Sequence, residues 1–310
     1  MVRASEIELG SLCLEAKVRS SSQLALSLAD VSIVMQESSL RQSSHRAHHD
    51  TSVTLRPPLK WAGGKRRLVP YLRLIWEPYR DRRLVEPLCG GLAVVLGLTP
   101  THALLNDINN HAINFFGWLK KGLVTDIPMA NNRKIYYQHR RRFNQLVKCG
   151  KANSKEAAEI FYYLNRTCYN GLCRFNRSGE FNVPFGRYQK INYVHDFTSY
   201  KRVFQEWKFT AKDFEKVPLS RDDFVYADPP YDVIFTQYSK EGFSWDDQVR
   251  LAKWLTEHPG PIVLSNQATP RICRLYRDLG YELRFLDAPR MISCNKDRKP
   301  AKEVLALKGI

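Results

Sequence analysis

The segment FVYADPPY, residues 224–231, decides the fold and carries the predicted chemistry. Its first four residues are apolar, aromatic or β-branched, which predicts a buried strand, and the two prolines end that strand in a rigid loop. The loop offers the carboxylate of Asp228, a main-chain carbonyl that no neighbouring amide binds because proline lacks an N–H, and the ring of Tyr231. These groups suit an amine on a planar ring: two acceptors for its protons and a ring to stack on. A plain strand-ending turn is the alternative interpretation.

The composition indicates a basic protein with an acidic partner. Lys and Arg number 48 against 31 Asp and Glu, a formal charge of +17, which favours nucleic acid. The 310 residues suffice for an α/β core and one further subdomain. No apolar run reaches the roughly 20 residues needed to cross a bilayer, so no membrane contact is expected. The seven cysteines include no Cys-x-x-Cys pair, which predicts free thiols in the cytoplasm and no metal site.

Residues 1–54 are rich in serine and have no clear period, so we predict a disordered N-terminal extension. The folded part begins near residue 55. There the segment LKWAGGK, residues 59–65, lacks the spacing of a phosphate-binding loop. Its two glycines allow the backbone to approach a ligand closely, while Trp61 offers a stacking face and Lys65 a positive charge. A tight turn with a basic rim is the alternative.

Two predicted strands follow, each with a polar feature at its carboxyl end. Residues 83–96 indicate a strand, a turn at Gly90 and Gly91, and an apolar helix, while residues 103–109 indicate a strand that ends at Asp107. A glycine turn lets a bulky cofactor lie against the strand ends, and an acidic side chain there binds ribose hydroxyls. The three-glycine dinucleotide fingerprint does not occur, so a pyrophosphate is not implied. The combination predicts an adenosyl cofactor that carries a methyl group.

The composition shifts to helical patterns and then to aromatic segments within residues 131–213. Two aromatic segments flank NRSG, residues 176–179, which predicts a hairpin turn. Arginines suit phosphates and guanines, asparagines suit bases, and tyrosines stack, so this part is a candidate DNA-binding region. An ordinary basic helical insert is the alternative.

Five motifs in this order resemble those of the Dam-type DNA adenine methyltransferases: LKWAGGK, VEPxxGG, NDIN, YNGLCRFNxxGEFNVPFGRY and DPPY. The resemblance spans residues 55–310, and the long fourth motif is the most specific. It implies an α/β fold of the class I S-adenosylmethionine-dependent methyltransferases, with a Rossmann-like mixed sheet. Residues 55–130 and 214–310 would form the catalytic domain. Residues 131–213 would form an inserted, mostly helical DNA-recognition subdomain that carries a β-hairpin.

The resemblance implies S-adenosyl-L-methionine as the cofactor, with no metal required. Asp228 and the Pro-Pro carbonyls would hold the amine of a flipped adenine, Tyr231 would stack on the base, and the amine would attack the methyl group directly. The implied catalytic residues are Asp228, Pro229, Pro230 and Tyr231. The implied cofactor-binding residues are Trp61, Lys65, Glu86, Gly90, Gly91, Asp107 and Asp228.

The family's target-reading positions match a set within the fourth motif and one lysine before it. The implied DNA-binding residues are Lys60, Tyr169, Asn170, Leu172, Arg174, Pro184 and Arg187. We therefore expect double-stranded DNA as the partner, a GATC-like target, and a monomer without an obligate protein partner. The alternatives are a relative that methylates another amine, in RNA or a protein glutamine, and a DNA-binding relative without catalysis.

Three features follow from comparing the sequence with the family's pattern. Cys168 stands where the family has glycine, and we expect it to affect the start of the hairpin, because glycine adopts backbone angles that cysteine resists. Leu92 replaces a third glycine of the cofactor turn, and we expect it to be tolerated. The segment with Phe235, Thr236, Tyr238 and Phe243 predicts a loop that closes over the base, and packing against the helical insert is the alternative.

Overall fold

The structure is a computed structural model that describes residues 55–232, 242–288 and 301–310. The predicted N-terminal extension lies outside these ranges. So do Phe235, Thr236 and Tyr238 of the predicted closing loop. Phe243 lies inside them, and its ring packs against that of Phe214 at a centroid distance of 6.0 Å, as part of the core.

The described residues form one seven-stranded sheet. Its order is β3-β2-β1-β4-β5-β7-β6, with β1 to β5 parallel and β7 antiparallel to both neighbours. This confirms the predicted α/β class with a mixed, Rossmann-like sheet. The strands are β1 Leu84–Glu86, β2 Ala103–Asn106, β3 Trp207–Thr210, β4 Phe224–Ala227, β5 Ile262–Gln267, β6 Glu282–Ala288 and β7 Ala301–Lys308.

Helices cover both faces of this sheet, and polar side chains define where several of them begin. Ser244 accepts a hydrogen bond from the Asp247 backbone while the Asp247 side chain accepts one from Ser244, a capping box that fixes the start of α7. The helices are α1 Val69–Trp76, α2 Val95–Leu98, α3 Asn110–Lys120, α4 Arg133–Lys148, α5 Lys155–Thr167, α6 Thr198–Val203, α7 Trp245–Thr256 and α8 Pro270–Asp278. None of the helices within the described ranges has the length and apolar character needed to span a bilayer.

Side chains that alternate between the two faces of the sheet form two separate hydrophobic cores. Side chains of successive strand residues point to opposite faces, so Phe224 and Tyr226 join one core while Val225 and Ala227 join the other. The first core includes buried residues of α3, α4 and α5, and the second includes those of α7 and α8. Since β4 is buried on both faces, it can lie only in the middle of the sheet. This places the end of β4, at Asp228, in the centre of the carboxyl edge.

The predicted insert differs from the structure at its carboxyl end. Residues 131–213 include Trp207–Thr210, which the structure places in the main sheet as β3, paired in parallel with β2. Trp207 is fully buried, and its indole N–H donates to the Pro100 carbonyl at 2.9 Å. The short WKFT segment has little periodicity of its own, so only its pairing with β2 reveals that the sheet resumes here.

The predicted β-hairpin is a reversal of the chain without continuous strands. The antiparallel pairing consists of isolated bridges, Cys168 with Phe185 and Phe175 with Phe181. Side chains of α4 form hydrogen bonds with backbone groups that a paired strand would otherwise bind. Asn144 accepts from the Phe181 N–H, and Tyr136 donates to the Val183 carbonyl. Because α4 satisfies these groups, a regular ladder is not needed.

Candidate active site

The carboxyl ends of three neighbouring strands bring the predicted site residues to one edge of the sheet. Strand β1 lies between β2 and β4, so the ends of all three meet where the strand order reverses. Glu86 ends β1, Asp107 follows β2, and Asp228 follows β4. In open α/β sheets this switch point is where ligands bind.

Asp228 sits in a polar but largely enclosed position. Its Oδ1 accepts a hydrogen bond from Ser265 Oγ at 2.7 Å and lies 3.3 Å from Lys65 Nζ. Burial raises the pKa of Asp228 to about 6, although Lys65 and Ser265 both favour the ionised form. About one fifth of the side chain is exposed, so the carboxylate faces the open edge and is mostly ionised above that pKa.

The hydroxyl and the ring of Tyr231 each contact a charged side chain. Its hydroxyl donates to Glu303 Oε1 at 2.9 Å, and Lys65 Nζ lies 4.0 Å from the centre of its ring. Burial raises the pKa of Tyr231, as do the charges of Asp228 and Glu303, so the phenol stays protonated. A clamped, neutral ring beside Asp228 is a suitable platform for a planar base.

The two proline carbonyls of the loop differ in their surroundings. The Pro230 carbonyl accepts a hydrogen bond from Gln248 Nε2 at 2.7 Å. Among the described residues, no such donor binds the Pro229 carbonyl. Of the two proline carbonyls predicted to bind the substrate amine, only that of Pro229 is therefore left as an acceptor.

Glu86 provides the test of whether the cofactor fits this edge. It is 2% exposed, and no group in the described part of the chain donates to its Oε1. Burial, and then the charge of Asp228, hold the pKa of Glu86 well above its usual range. A buried acceptor without a donor costs free energy, and the amino group of S-adenosylmethionine is a donor that would satisfy it. The residue set therefore fits the cofactor.

Asp107 and its neighbour give the second part of the fit. Its carboxylate accepts hydrogen bonds from the backbone of Gly90 and of Asn109, each at 2.9 Å, which ties the glycine turn to the end of β2. The adjoining Ile108 is 71% exposed, so its apolar side chain lies on the surface next to Asp107. Ile108 offers an apolar surface for an adenine ring, while Asp107 retains lone pairs for ribose hydroxyls.

Trp61 packs directly on the glycine turn. A Cβ atom at Gly91 would lie 2.6 Å from Trp61 Cβ, and one at Gly90 would lie 2.7 Å from Trp61 Nε1. Both distances are too short for non-bonded atoms, so this turn requires glycine at both positions. The packing brings Trp61 to the same edge as Gly90, Gly91 and Asp107.

The two positions that depart from the family's pattern differ in backbone conformation. Cys168 adopts an extended conformation, with φ −69° and ψ 165°, which any residue accepts. Leu92 adopts φ 64°, the left-handed region that favours glycine, although its side chain is fully buried. Cysteine therefore causes no backbone strain at position 168, while leucine at position 92 does, at a cost of about 1–2 kcal/mol.

We predict that this strain reverses the usual ranking of alanine and glycine at position 92. Both Leu92→Ala and Leu92→Gly lose a buried side chain, which costs about 2–5 kcal/mol. Glycine relieves the left-handed strain, so Leu92→Gly should be more stable than Leu92→Ala by about 1 kcal/mol. Urea unfolding of the two variants measures the difference. A more stable alanine variant would contradict the strain.

Lys60 and Trp61 connect the predicted target-reading residues to the predicted cofactor-binding residues. Asn165 accepts from the Lys60 N–H at 2.8 Å, and donates to the Lys60 carbonyl at 2.9 Å and to the Gly171 carbonyl. Lys60 Nζ donates to the Arg166 carbonyl and lies 3.5 Å from the centre of the Tyr188 ring. Burial lowers the pKa of Lys60 to about 8. Because Lys60 precedes Trp61, this segment joins the two halves of the site.

The other predicted DNA-binding residues lie on an exposed surface. Tyr169 is 45% and Leu172 38% exposed, and the Tyr169 N–H donates to the Pro184 carbonyl at 2.9 Å. Arg174 Nε donates to Asn182 Oδ1 at 2.8 Å. Asn170, Arg174, Pro184 and Arg187 are all exposed. A neighbouring groove of about 390 Å³ is lined by Lys60, Arg166, Tyr188, Lys190, Ile191 and Asn192.

Four side chains that contact the predicted site were missed by the sequence reasoning. The segment PIVLSN, residues 261–266, predicts only a buried strand. The two polar residues Ser265 and Asn266 at the end of this apolar segment were the one sign of a further role. Gln248 is a buried polar residue within an amphipathic helix, which no local pattern distinguishes. The set is Gln248, Ser265, Asn266 and Glu303.

We predict that Ser265→Ala shifts the pH dependence of the reaction. Ser265 stabilises the ionised form of Asp228, so its loss should raise the pKa of Asp228 further above about 6. A hydrogen bond to a charged group contributes about 1.5–3 kcal/mol, so the acid limb of kcat should move up by about one pH unit or more. Tyr226→Phe keeps the Ser265 hydroxyl and should shift the limb far less. An unchanged acid limb in Ser265→Ala would contradict the role of Ser265 in setting the pKa of Asp228.

Together, the sheet, the Asp-Pro-Pro-Tyr loop and the fitting cofactor residues define an S-adenosylmethionine-dependent methyltransferase that acts on an amine. The chain belongs to the D12 class N6 adenine-specific DNA methyltransferase family, whose profile matches residues 61–288. It is thus an adenine-specific DNA methyltransferase, as the resemblance predicted. In the described ranges, no cluster of His, Cys, Asp or Glu could hold a metal ion.

Relatives align over most of the chain. The type II methyltransferase M1.LlaDCHI of Lactococcus lactis subsp. cremoris is 34% identical over 77% of this chain and 89% of its own. The DNA adenine methylase of Escherichia coli strain K12 is 33% identical over 80% of this chain and 94% of its own. A solved magnesium protoporphyrin IX methyltransferase from Synechocystis PCC 6803 aligns with 92% of this chain and 99% of its own, with 10% identity and a TM-score of 0.32.

Proposed function

We propose that this enzyme methylates the exocyclic amine of an adenine flipped out of double-stranded DNA at a GATC-like site, working as a monomer in the cytoplasm. The observation that carries the proposal is the position of the Asp228 carboxylate, held by Ser265 and Lys65 beside the clamped ring of Tyr231.

The acceptors act on the amine protons. The Asp228 carboxylate and the Pro229 carbonyl each accept one, which draws the nitrogen lone pair out of conjugation with the ring. The cofactor supplies an electrophilic methyl group on its sulfonium. With a pKa of about 6, Asp228 is ionised at neutral pH and is basic enough to take the proton that the amine loses on methylation. Holding the amine in line with the methyl group supplies the rest of the acceleration.

Tyr231 and the enclosed position of Asp228 support base flipping. The amine of a paired adenine is inside the duplex and cannot reach a carboxylate that is only about one fifth exposed. The base must leave the stack, which costs a few kcal/mol that stacking on Tyr231 partly offsets. Two exposed residues of the predicted DNA-binding set, Tyr169 and Leu172, are candidates to occupy the gap that the base leaves.

Target reading is assigned to the surface around Lys60 and Arg174. An arginine binds guanine with two hydrogen bonds in the major groove, and the amide of Asn182 holds Arg174 by its Nε, leaving its two terminal nitrogens for a base. Lys60 is aligned by the Arg166 carbonyl and the Tyr188 ring. The basic groove beside it suits the phosphates of the same duplex.

The experiment is sequencing that detects modified adenine in the DNA of a methylation-free host that expresses the protein. Methyl-adenine in GATC is expected with the wild type and not with Asp228→Ala. Methylation in another short motif would overturn the target assignment while leaving the adenine activity. An absence of methyl-adenine, with folded protein that binds S-adenosylmethionine, would overturn the proposal.

The choice between duplex and RNA substrates needs a second assay. Transfer of labelled methyl from the cofactor is measured on duplex DNA, on RNA of the same sequence, and on the single strand alone. Duplex DNA is expected to be the preferred substrate, because Lys60, Arg166 and Lys190 make the groove basic, and Tyr169 and Leu172 are exposed. Preference for RNA would contradict this part of the proposal.

A further inference from the structure

A buried chain of side-chain amides connects the end of β5 to the Asp-Pro-Pro-Tyr loop. Asn266 Nδ2 donates to Gln248 Oε1 at 3.0 Å, and Gln248 Nε2 donates to the Pro230 carbonyl at 2.7 Å. Asn266 is fully buried and Gln248 is 2% exposed. Buried polar groups are costly unless satisfied; these two amides bind each other, and Asn266 Nδ2 also donates to the Tyr276 hydroxyl at 3.1 Å.

Backbone N–H groups, which can only donate, fix the orientation of the two side-chain amides. Asn266 Oδ1 accepts from the backbone N–H of Gln267 at 2.8 Å and from that of Asp232 at 3.4 Å. An atom that binds backbone N–H groups must be the amide oxygen, so the nitrogen of Asn266 faces Gln248. Gln248 must then present its oxygen to Asn266 and its nitrogen to Pro230. The hydrogen-bond pattern leaves no choice of amide orientation.

Ser265 and Asn266 hold the loop from the two faces of β5. Successive strand residues point to opposite sides, so Ser265 reaches Asp228 while Asn266 reaches Gln248 and the N–H of Asp232. One dipeptide therefore fixes the carboxylate, the Pro230 carbonyl and the residue that follows Tyr231. The loop is therefore anchored at Asp228, at Pro230 and at Asp232.

Anchoring the Pro230 carbonyl also sets the direction of the Pro229 carbonyl. Both prolines have φ fixed near −65°, and a residue that precedes proline is confined to the extended region. With φ of Pro230 fixed, the angle between the Pro229 and Pro230 carbonyls depends on ψ of Pro230 alone. The hydrogen bond from Gln248 to the Pro230 carbonyl restrains that angle, and therefore the direction of the Pro229 carbonyl.

We propose that Gln248, oriented by Asn266, is a positioning residue for methyl transfer: it holds the Pro230 carbonyl so that the Pro229 carbonyl and the Asp228 carboxylate converge on the amine. The inference rests on the proposed function, since it assumes that these two acceptors bind the substrate amine. Gln248 contacts neither substrate nor cofactor and acts through the loop alone.

The first test is Gln248→Leu, which keeps the volume and removes both hydrogen bonds. Because a misplacement of about 1 Å costs about 100-fold in rate, kcat should fall about 10- to 100-fold. The KM for DNA and the Kd for S-adenosylmethionine should change by no more than about threefold, because the surfaces that bind them do not include Gln248. Tyr281→Phe is the matched control: it removes a buried hydrogen bond to the Ala252 carbonyl of the same helix and should leave kcat unchanged.

The second test is Gln248→Glu, which gives a signature that a purely structural role would not. An ionised glutamate cannot donate to the Pro230 carbonyl, whereas a protonated one can, with its other oxygen still accepting from Asn266. The ratio of the variant's kcat to that of the wild type should therefore rise as the pH falls, by up to about tenfold per pH unit. The like charge introduced by Gln248→Glu would raise the pKa of Asp228 and make the ratio fall as the pH falls, so a rising ratio reports the new carboxylic acid itself.

The outcomes separate the inference from the proposed function. If the wild type methylates adenine and Gln248→Leu keeps full kcat, or the Gln248→Glu ratio does not change with pH, the inference is overturned and the function stands. If the wild type transfers no methyl to DNA, the proposed function fails first. A Gln248→Leu variant that does not fold leaves the pH ratio of Gln248→Glu as the deciding measurement.

Discussion

Asp228→Ala is expected to lower kcat by about 10²- to 10⁴-fold while folding and DNA binding are retained. The carboxylate is the ionisable acceptor for the amine, and removing it leaves only the Pro229 carbonyl to localise the lone pair. Single-turnover methylation of a duplex with one target site measures the chemical step directly. A loss of less than about tenfold would remove Asp228 from the reaction.

The pH dependence should follow the titration of Asp228. Its pKa of about 6 implies that kcat falls as the pH drops through 6, because the protonated acid cannot accept the amine proton. The wild-type profile should show this acid limb, and the residual activity of Asp228→Asn should not. An identical limb in both proteins would assign the titration to another group.

Asp228→Asn should also increase stability, which separates a catalytic role from a structural one. The folded-state pKa is raised above the unfolded value of 3.8, so between pH 3.8 and 6 the native state binds more protons and stability falls as the pH rises. At neutral pH the ionised carboxylate therefore costs about 1–3 kcal/mol, which a neutral asparagine avoids. Thermal unfolding at pH 7 should show a higher Tm, with little difference between the proteins at pH 3.5.

The second large effect is expected at the reading surface. Arg174→Ala should reduce discrimination between the target and a site with one changed base by about 1–3 kcal/mol, which is about 5- to 150-fold in kcat/KM. Methylation of non-target sites should fall much less, because the phosphate contacts remain. Competition between two duplexes that differ at one base pair gives the ratio directly.

Two variants sharpen this measurement. Asn182→Ala removes the acceptor that holds Arg174 Nε and should lower discrimination in the same direction by a smaller amount. Arg277→Ala removes the same charge from the last turn of α8, an exposed position in the layer that covers the opposite face of the sheet. It should leave discrimination unchanged. Equal losses in Arg174→Ala and Arg277→Ala would indicate a general charge effect and not base reading.

The sequence by itself determined the class of the fold and the family. Buried strands that end in Asp107 and in the Asp-Pro-Pro-Tyr loop are local patterns, and the strands occur where the pattern predicts them. A short apolar segment followed by a turn shows that a strand is buried, because burial depends on the residues themselves. The long motif from Tyr169 to Tyr188 identified the family for the same reason: its letters are contiguous.

Only the tertiary structure decided which distant residues support the site. Ser265, Gln248 and Glu303 reach the Asp-Pro-Pro-Tyr loop from 37, 18 and 72 residues away along the chain. Periodicity reports which face of a strand is buried but not which strand lies beside it. The neighbours of β4 and β5 follow from the sheet order, in which β7 inserts antiparallel between β5 and β6.

Backbone conformation was likewise decided by the fold. Cysteine at position 168 and leucine at position 92 each replace a glycine of the family's pattern, yet only Leu92 has a left-handed φ. The sequence shows that a glycine is missing, but whether the chain needs its conformational freedom depends on how the surrounding turn packs. At Leu92, burial of the side chain offsets the strain, because the buried leucine contributes about 2–5 kcal/mol against a cost of about 1–2 kcal/mol.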